Sequence, residues 1–300
     1  MGLMLDGKYL IDDPAPDTSA SGQFERARST LRDPIPKGAT PSRLHLFAAW
    51  NCPWAHRALL MRAVLGLDDI SVSYALPRRT DQGWVFEDEP LLGATAMHQV
   101  YATGADAYTG RVTVPVLWDR ETGRIINNES ADIVRALGDA FAPGHMCNPD
   151  NGEAITRWND LIYPTLNNGV YRAGFARTQG AHDKAVAEVF ATLDQIENQV
   201  ARTRYLTGPA LSEADIRLFP TLARFDVAYH SAFKCNLRRL IDYPNLWAYA
   251  RDIYQTPGVA ETVKFDVYRK GYHSPSELRN PLGIVPVGPQ NDWSAPHGRG

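Results

Sequence analysis

Residues 43–67 decide the fold of this chain, and they read RLHLFAAWNCPWAHRALLMRAVLGL. Apolar side chains alternate with others over 43–50, which is typical of a β-strand. The residues that follow predict a turn and then a helix, with Pro53 suited to the first helical position. The stretch ISVSYAL at 70–76 alternates again. A strand, a helix and a strand in this order predict a parallel pair joined by a right-handed crossover.

The segments that follow complete one domain. VTVPVLWD (112–119) and RIINN (124–128) flank a turn and predict a β-hairpin. ESADIVRALGDAF (129–141) has the apolar spacing of a helix. Residues 77–111 form a long connection, and connections of this length are usually functional or disordered. The order β-α-β and then β-β-α predicts a thioredoxin-like α/β domain over residues 43–141.

The second half of the chain has the residue pattern of helices. In one stretch, apolar residues fall at steps of three and four: Val186, Val189, Phe190, Leu193, Ile196 and Val200. Ser212 and Asp215 resemble a capping box in which Asp replaces the usual Glu, a structural role rather than a catalytic one. We therefore predict an all-α C-terminal domain over residues 153–273.

Segments rich in Pro and Gly surround the two predicted domains. Residues 1–42 contain DDPAPDTSASG and DPIPKGATP, which predict an irregular N-terminal arm. Residues 142–152 have the composition of a linker, and 274–300 that of a C-terminal tail.

Composition excludes several classes of protein. In 300 residues, 31 Lys and Arg against 34 Asp and Glu give a net charge of −3 without long runs of one sign, which argues against nucleic-acid binding. No apolar run approaches the roughly 18 residues that a membrane span needs. The N-terminal residues lack the apolar core of a signal peptide. We expect a soluble, cytoplasmic protein without a membrane partner.

Cys52 lies at the predicted junction of strand and helix. A thiol there is close to free backbone N–H groups and to the positive end of the helix dipole, which favour the thiolate. No second cysteine follows three residues later, so a small thiol co-substrate is the economical resolving group. The alternative is an inert buried cysteine. Cys147 and Cys235 lack this context, and three scattered cysteines do not make a metal site.

Two further positions suit a bound thiol peptide. Pro115 opens a predicted strand, where proline is normally excluded, and a thioredoxin-like domain uses a cis-proline there to expose the backbone of the preceding residue, here Val114. Glu129 and Ser130 begin the next helix, whose N–H groups suit a carboxylate. A turn at Pro115 and a plain helix cap at Ser130 are the structural alternatives.

Eight segments resemble one known family, the glutathionyl-hydroquinone reductases or Xi class of glutathione transferases. They match in the family's order from about residue 40 to 290: NCPWAHRALLMRAVLGL (51–67), GWVF (83–86), YTGRVTVPVLWD (108–119), IINNESADIVRAL (125–137), NNGVYRAGFA (167–176), RFDVAYHSAFKCN (224–236), YPNLWAYARDIYQTPGV (243–259) and NPLGIVPVGP (280–289). The resemblance implies the glutathione transferase fold and a homodimer. It implies glutathione as co-substrate, glutathionyl-hydroquinones as substrates and no tightly bound cofactor or metal.

The resemblance also implies a mechanism and a set of site residues. Cys52 would take the glutathionyl sulfur from the ring as a mixed disulfide, and free glutathione would then release it. Tyrosines suit the protonation of the ring, and the family segments supply Tyr171, Tyr229 and Tyr272. Where the family usually has adjacent tyrosines this chain reads KGYHS (270–274), so His273 could replace one ring. Glutathione binding is implied for Trp84, Arg111, Val114, Glu129 and Ser130.

For each residue a structural role is the alternative: a loop plug for Trp84, a solvated side chain for Arg111, and core packing for the tyrosines. We interpret His56 and Arg57 as helix-face residues that stabilise the junction. Two other functions compete with the first, namely a glutaredoxin-like thiol transferase or dehydroascorbate reductase, and a non-catalytic glutathione-binding module. Conjugation of glutathione ranks lower, because a cysteine would form a disulfide instead.

Overall fold

The structure, a computed structural model, describes three stretches of the chain: residues 2–11, 18–147 and 150–299. They form two compact units. The first contains residues 2–11 and Ala27–Pro143, and the second contains residues 18–26 and the described residues from Gly144 onward. The segment predicted as an N-terminal arm is therefore divided between the two units.

The first unit follows the order of strands and helices expected from the sequence. Its elements are β1 (Leu3–Leu5), β2 (Lys8–Leu10), β3 (Leu44–Ala49), α1 (Pro53–Val64), β4 (Ser71–Ala75), α2 (Met97–Gly104), β5 (Gly110–Arg111), β6 (Val116–Asp119), β7 (Arg124–Asn127) and α3 (Ser130–Phe141). A four-stranded sheet has the order β4-β3-β6-β7, with β3 parallel to β4 and antiparallel to β6. Every residue of β3 is buried, so this strand fixes the position of the turn that follows it.

Strands β1 and β2 correct the prediction of an irregular arm for residues 3–10. Strands β1 and β2 pair as a hairpin, and β1 also pairs with β5, so that a second sheet forms in the order β2-β1-β5. Asp6 and Gly7 both have positive φ, which is the geometry of a two-residue hairpin turn and explains the Asp-Gly sequence. Met4 is 1% exposed, so this segment contributes to the core.

The second unit is helical. Its helices are α4 (Gly152–Ile162), α5 (Gly169–Gly174), α6 (Gln179–Val200), α7 (Glu213–Arg224), α8 (His230–Ala232), α9 (Pro244–Tyr254) and α10 (Phe265–Tyr272). Two π-helical turns, Tyr163–Asn167 and Phe225–Tyr229, interrupt the regular spacing just before α5 and just after α7. Such turns often occur at functional sites, since they rotate the residues that follow them.

The segment after α10 has no helix or strand in its described residues, but it packs closely on the second unit. Trp293 is 8% exposed, and its ring lies 4.8 Å from that of Trp247. Arg299 donates to the carbonyl oxygens of Val200, the last residue of α6, and of Thr203. The end of the predicted tail, at Trp293 and Arg299, thus packs on this unit, whereas Leu278, Leu282 and Val287 are exposed.

The capping box predicted at Ser212 and Asp215 is confirmed. The Asp215 carboxylate accepts from the backbone N–H and the hydroxyl of Ser212, from the N–H of Leu206 and from the Tyr249 hydroxyl. Burial raises the pKa of Asp215 in spite of these donors. The side chain therefore joins the start of α7 to α9 from a fully buried position.

Substitution of Asp215 by alanine should lower the free energy of unfolding by about 3–5 kcal/mol, because several buried donors would lose their acceptor together. Urea denaturation followed by circular dichroism measures the loss. Asp183→Ala is the matched control, since Asp183 is exposed on α6 and bonds only Gln179 among the contacts described for it. Equal stability of the two variants would show that the capping box contributes little.

Candidate active site

Cys52 is the N-terminal cap of α1, directly after the buried strand β3. Its backbone is extended, and its carbonyl accepts the first helical hydrogen bond, from His56. Pro53 occupies the first helical position, as predicted. The side chain is 8% exposed. The thiol is thus fixed at the start of a helix, next to its first backbone N–H groups.

Val114 lies beside this thiol. The Cys52 Sγ–H donates to the Val114 carbonyl oxygen across 3.4 Å. The Val114–Pro115 peptide bond is cis, as the position of Pro115 predicted. Two of the predicted site residues, distant by 62 positions in the chain, are therefore in direct contact.

Glu129 and Ser130 form the start of α3, also as predicted. Glu129 is the helix cap, and its Oε1 accepts from the N–H of Ala131 and from the hydroxyl of Ser130. Arg57, one turn into α1, donates from Nη1 to the Ser130 hydroxyl across 3.3 Å. The guanidinium of Arg57 also lies 4.6 Å from the ring centroid of Trp54. Arg57 is 1% exposed, so it ties the N-terminal ends of the two helices together.

Trp84 and Arg111 lie on the connection between β4 and β6. Trp84 is buried, with the Arg79 guanidinium 4.6 Å from its ring centroid. Arg111 ends the short strand β5, and burial lowers its pKa. The contact of Trp84 and Arg111 with glutathione stays a prediction.

Glu89 holds this connection in place. Its carboxylate accepts from the Ser73 hydroxyl on β4 and from the backbone N–H groups of Leu91 and Leu92. Burial alone would raise the pKa of Glu89, but these hydrogen bonds outweigh it and lower that pKa. A charged, 4% exposed carboxylate thus anchors the loop that carries Trp84.

Three tyrosines of the second unit meet through their hydroxyl groups, and we call Tyr171, Tyr229 and Tyr272 the phenol cluster. The hydroxyl of Tyr272 lies 2.6 Å from that of Tyr171 and 3.3 Å from that of Tyr229. Tyr171 is on α5, Tyr229 ends the second π-helical turn, and Tyr272 ends α10. The ring of Phe233 packs against all three, with centroid distances of 5.3, 5.3 and 5.5 Å.

Burial controls the acidity of this cluster. It raises the pKa of Tyr229 and of Tyr272 well above the ordinary value, and the nearby Tyr171 phenol adds to the effect on both. The positive charge of Arg224 acts in the opposite direction on both. The hydroxyls of Tyr229 and Tyr272 are therefore protonated donors at neutral pH.

His273 does not replace a ring of the cluster. Its Nε2 pairs with the Ser231 hydroxyl and its Nδ1 with the Arg269 carbonyl. The register that gives Tyr272 to the cluster is therefore the one the structure adopts.

Sequence reasoning gave too little weight to two arginines. Arg57 was interpreted only as a helix-face residue, and Arg224 was not selected at all, yet both are fully buried. Arginine is rarely fully buried unless its charge is paired, but the sequence does not reveal which charged residues are buried. The one available signal was their position inside the family segments NCPWAHRALLMRAVLGL and RFDVAYHSAFKCN.

Within the described residues no helix is long and apolar enough to cross a membrane. Over the same residues no group of three or more His, Cys, Asp or Glu side chains could hold a metal ion.

Comparison with known proteins defines the class. Residues 51–140 match the glutathione S-transferase N-terminal domain family, and residues 179–252 match the glutathione S-transferase C-terminal domain family. Together with the thioredoxin-like first unit and the helical second unit, these matches define a glutathione transferase, and the predicted fold class is confirmed.

Individual relatives narrow this class. The chain is 44% identical to the glutathionyl-hydroquinone reductase YqjG of Escherichia coli, over 100% of this chain and 98% of the relative. It is also 44% identical to the glutathionyl-hydroquinone reductase PcpF of Sphingobium chlorophenolicum, over 96% of each. The chain belongs to the glutathionyl-hydroquinone reductases, the Xi class of the glutathione transferases, as the resemblance predicted.

Solved structures agree with this assignment. The glutathione-bound structure of the E. coli protein superimposes with a TM-score of 0.86 at 42% identity, covering 99% of this chain and 98% of that one. A Xi class glutathione transferase from Natrialba magadii superimposes with a TM-score of 0.87 at 38% identity, over 100% and 96% of the two chains.

Proposed function

We propose that this enzyme reduces glutathionyl-hydroquinones to hydroquinones at the expense of glutathione, through a mixed disulfide on Cys52. The observation that carries the proposal is the Cys52 thiol at the start of α1, in contact with the Val114 carbonyl. The relatives named glutathionyl-hydroquinone reductases, similar over the full length of the chain, support the choice of substrate.

The reaction proceeds in two half-reactions. In the first, the Cys52 thiolate attacks the thioether sulfur, the sulfur–carbon bond breaks, and its electron pair passes to the ring carbon, which takes a proton. This releases the hydroquinone and leaves a Cys52–glutathione disulfide. In the second, the thiolate of free glutathione attacks that disulfide, so that glutathione disulfide leaves and the Cys52 thiolate returns.

Glutathione is bound by the first unit in this proposal. The backbone of Val114 pairs with the peptide next to the thiol, Glu129 accepts from the γ-glutamyl amine, and Ser130 donates to its carboxylate. Arg111 pairs with the other carboxylate, and Trp84 forms a wall of the site. The contact of Cys52 with Val114 and the position of Glu129 and Ser130 at the start of α3 support this arrangement.

Substitution of Glu129 by glutamine should raise the KM for the glutathionyl-hydroquinone in the first half-reaction and the KM for glutathione in the second, each about tenfold, because an ionic hydrogen bond becomes a neutral one. Steady-state and stopped-flow kinetics measure the change. Asp132→Asn on the same helix is the matched control, since the Asp132 carboxylate pairs with Arg32 instead. An unchanged KM in the Glu129 variant would remove Glu129 from the binding site.

The phenol cluster is assigned to the ring. A carbanion-like carbon needs a proton donor, and the phenolic oxygens of the ring need hydrogen-bond partners. Tyr171, Tyr229 and Tyr272 supply three hydroxyls in one network, and burial raises the pKa of Tyr229 and of Tyr272 well above the ordinary value. Tyr272 is the central hydroxyl, since it is bonded to both others.

Intact mass spectrometry tests the proposal. The enzyme is incubated with a glutathionyl-hydroquinone in the absence of free glutathione. One glutathione adduct on Cys52, formed together with one equivalent of hydroquinone, is the expected result. Glutathione binding without an adduct would indicate a non-catalytic binding module.

A comparison of rates separates the proposal from its nearest alternative. The enzyme is given a glutathionyl-hydroquinone, a small glutathione mixed disulfide and dehydroascorbate in parallel. We expect the first to be the preferred substrate by kcat/KM. A preference for either of the others would indicate a glutaredoxin-like thiol transferase or a dehydroascorbate reductase.

The remaining expectations from the sequence also belong to this proposal. They are a homodimer, a cytoplasmic location and the absence of a tightly bound cofactor. Analytical ultracentrifugation of the purified protein tests the first, and its absorption spectrum and metal content test the last.

A further inference from the structure

Arg224 is a buried cation at the end of α7. Its side chain is fully enclosed, and its Nη1 donates to the Pro220 carbonyl oxygen one turn earlier. The central carbon of the guanidinium lies 3.7 Å from the ring centroid of Tyr268 on α10. A cation in this position is stabilised by the face of the aromatic ring.

Two features of the chain connect Arg224 to the phenol cluster. Tyr268 and Tyr272 are four residues apart on α10, so they lie on the same face of that helix. The π-helical turn that begins directly after Arg224 ends at Tyr229. The cation therefore adjoins both elements that carry Tyr229 and Tyr272.

We therefore propose that Arg224 is a positioning residue that assists protonation of the hydroquinone ring. This proposal rests on the proposed function. When a hydroxyl of the phenol cluster gives its proton to the ring carbon, a phenolate is left in a buried place. The fixed charge of Arg224 stabilises that phenolate. Solvent then returns a proton to the phenolate. Free glutathione replaces that proton in solvent when the glutathione thiol ionises for the second half-reaction.

The charge assists the step without touching the substrate. Burial makes a phenolate unfavourable, so a cluster of buried tyrosines alone would be a poor acid. A preorganised cation offsets this at the moment when negative charge develops. The direction of the Arg224 effect on the pKa of Tyr229 and Tyr272, which is to lower both, agrees with this assignment.

The test compares two variants by single-turnover kinetics. Arg224→Met removes the charge and keeps the length, and it should slow the first half-reaction about 10- to 100-fold. Arg224→Lys keeps the charge and should stay within about fivefold of the parent enzyme. Reduction of a preformed Cys52–glutathione disulfide, which needs no proton donor for a ring, should be unchanged in both.

Ring substituents give a readout that a merely structural role would not move. Electron-withdrawing groups stabilise the carbanion, so the Arg224→Met variant should lose most on electron-rich rings and least on electron-poor ones. Arg217→Met is the control, since Arg217 lies on the same helix and pairs with Glu213. A uniform loss across the series, or an equal loss in both half-reactions, would overturn the proposal.

The Lys variant keeps the proposal falsifiable if the Met variant does not fold. A folded Arg224→Lys enzyme that shows a large loss on electron-rich rings would prove that charge is not the property that matters. Failure of the proposed function is recognised separately, because the parent enzyme would then form no Cys52 adduct and release no ring. An active parent with an unaffected Arg224→Met variant would refute the role of Arg224 alone.

Discussion

Replacement of Cys52 by serine should slow ring release by at least about a thousandfold, since the nucleophile of the first half-reaction is lost. A serine hydroxyl stays protonated at neutral pH and does not form a disulfide with glutathione. The fold should survive, because the two side chains are close in size and the position is a helix cap, where serine is favoured. Stopped-flow detection of the hydroquinone measures the rate, and circular dichroism checks the fold.

The other cysteines are the matched controls. Cys147 is half-buried, and Cys147→Ser should leave the rate within about twofold of the parent. Cys235 is fully buried, and burial raises the pKa of its thiol to about 12, so it stays protonated and unreactive. A folded Cys147→Ser enzyme without activity would reveal a resolving cysteine. Substantial turnover by the Cys52→Ser enzyme would contradict the covalent mechanism.

Substitution of Tyr272 by phenylalanine should slow the first half-reaction about a hundredfold, which is typical of the loss of a general acid. The change removes one hydroxyl and almost no volume, so the packing against Phe233 is kept. It also removes both hydrogen bonds of the network, because Tyr272 joins the other two hydroxyls. The second half-reaction should be unaffected, since glutathione attacks a disulfide without any demand for a donor to the ring.

The two half-reactions are measured separately, with the Cys52–glutathione disulfide prepared beforehand for the second. Tyr205→Phe is the control, because Tyr205 is a buried tyrosine of the same unit whose hydroxyl bonds Asp252 instead. If Tyr272→Phe slows both half-reactions equally, the phenol cluster is structural or belongs to glutathione binding.

Local patterns predicted the thioredoxin-like unit because the spacing of its apolar residues changes from that of a strand to that of a helix and back to that of a strand. Cys52 was identified for the same reason: a strand, a turn and Pro53 fix its place before any tertiary contact is known. The N-terminal hairpin was missed although Asp6 and Gly7 form a strong turn signal. Its strands are three residues long and become stable only by pairing with β5, about one hundred positions away.

The phenol cluster shows the limit of the sequence in another way. Family segments supplied Tyr171, Tyr229 and Tyr272, but no spacing in the chain reveals that their hydroxyls meet, since Tyr171 and Tyr272 are 101 positions apart. Arg224 was missed because a charged residue is normally assigned to the surface. Its burial depends on tertiary contacts with Tyr268 and with the enclosing helices.

The division of the chain into two units has a consequence for its synthesis on the ribosome. The first unit is complete once residue 143 has left the exit tunnel, so it can fold while translation continues. The second unit must wait longer, because its aromatic core includes Trp293. Phe24 packs on Phe175, which is made much later, so Phe24 stays without this partner in the interval.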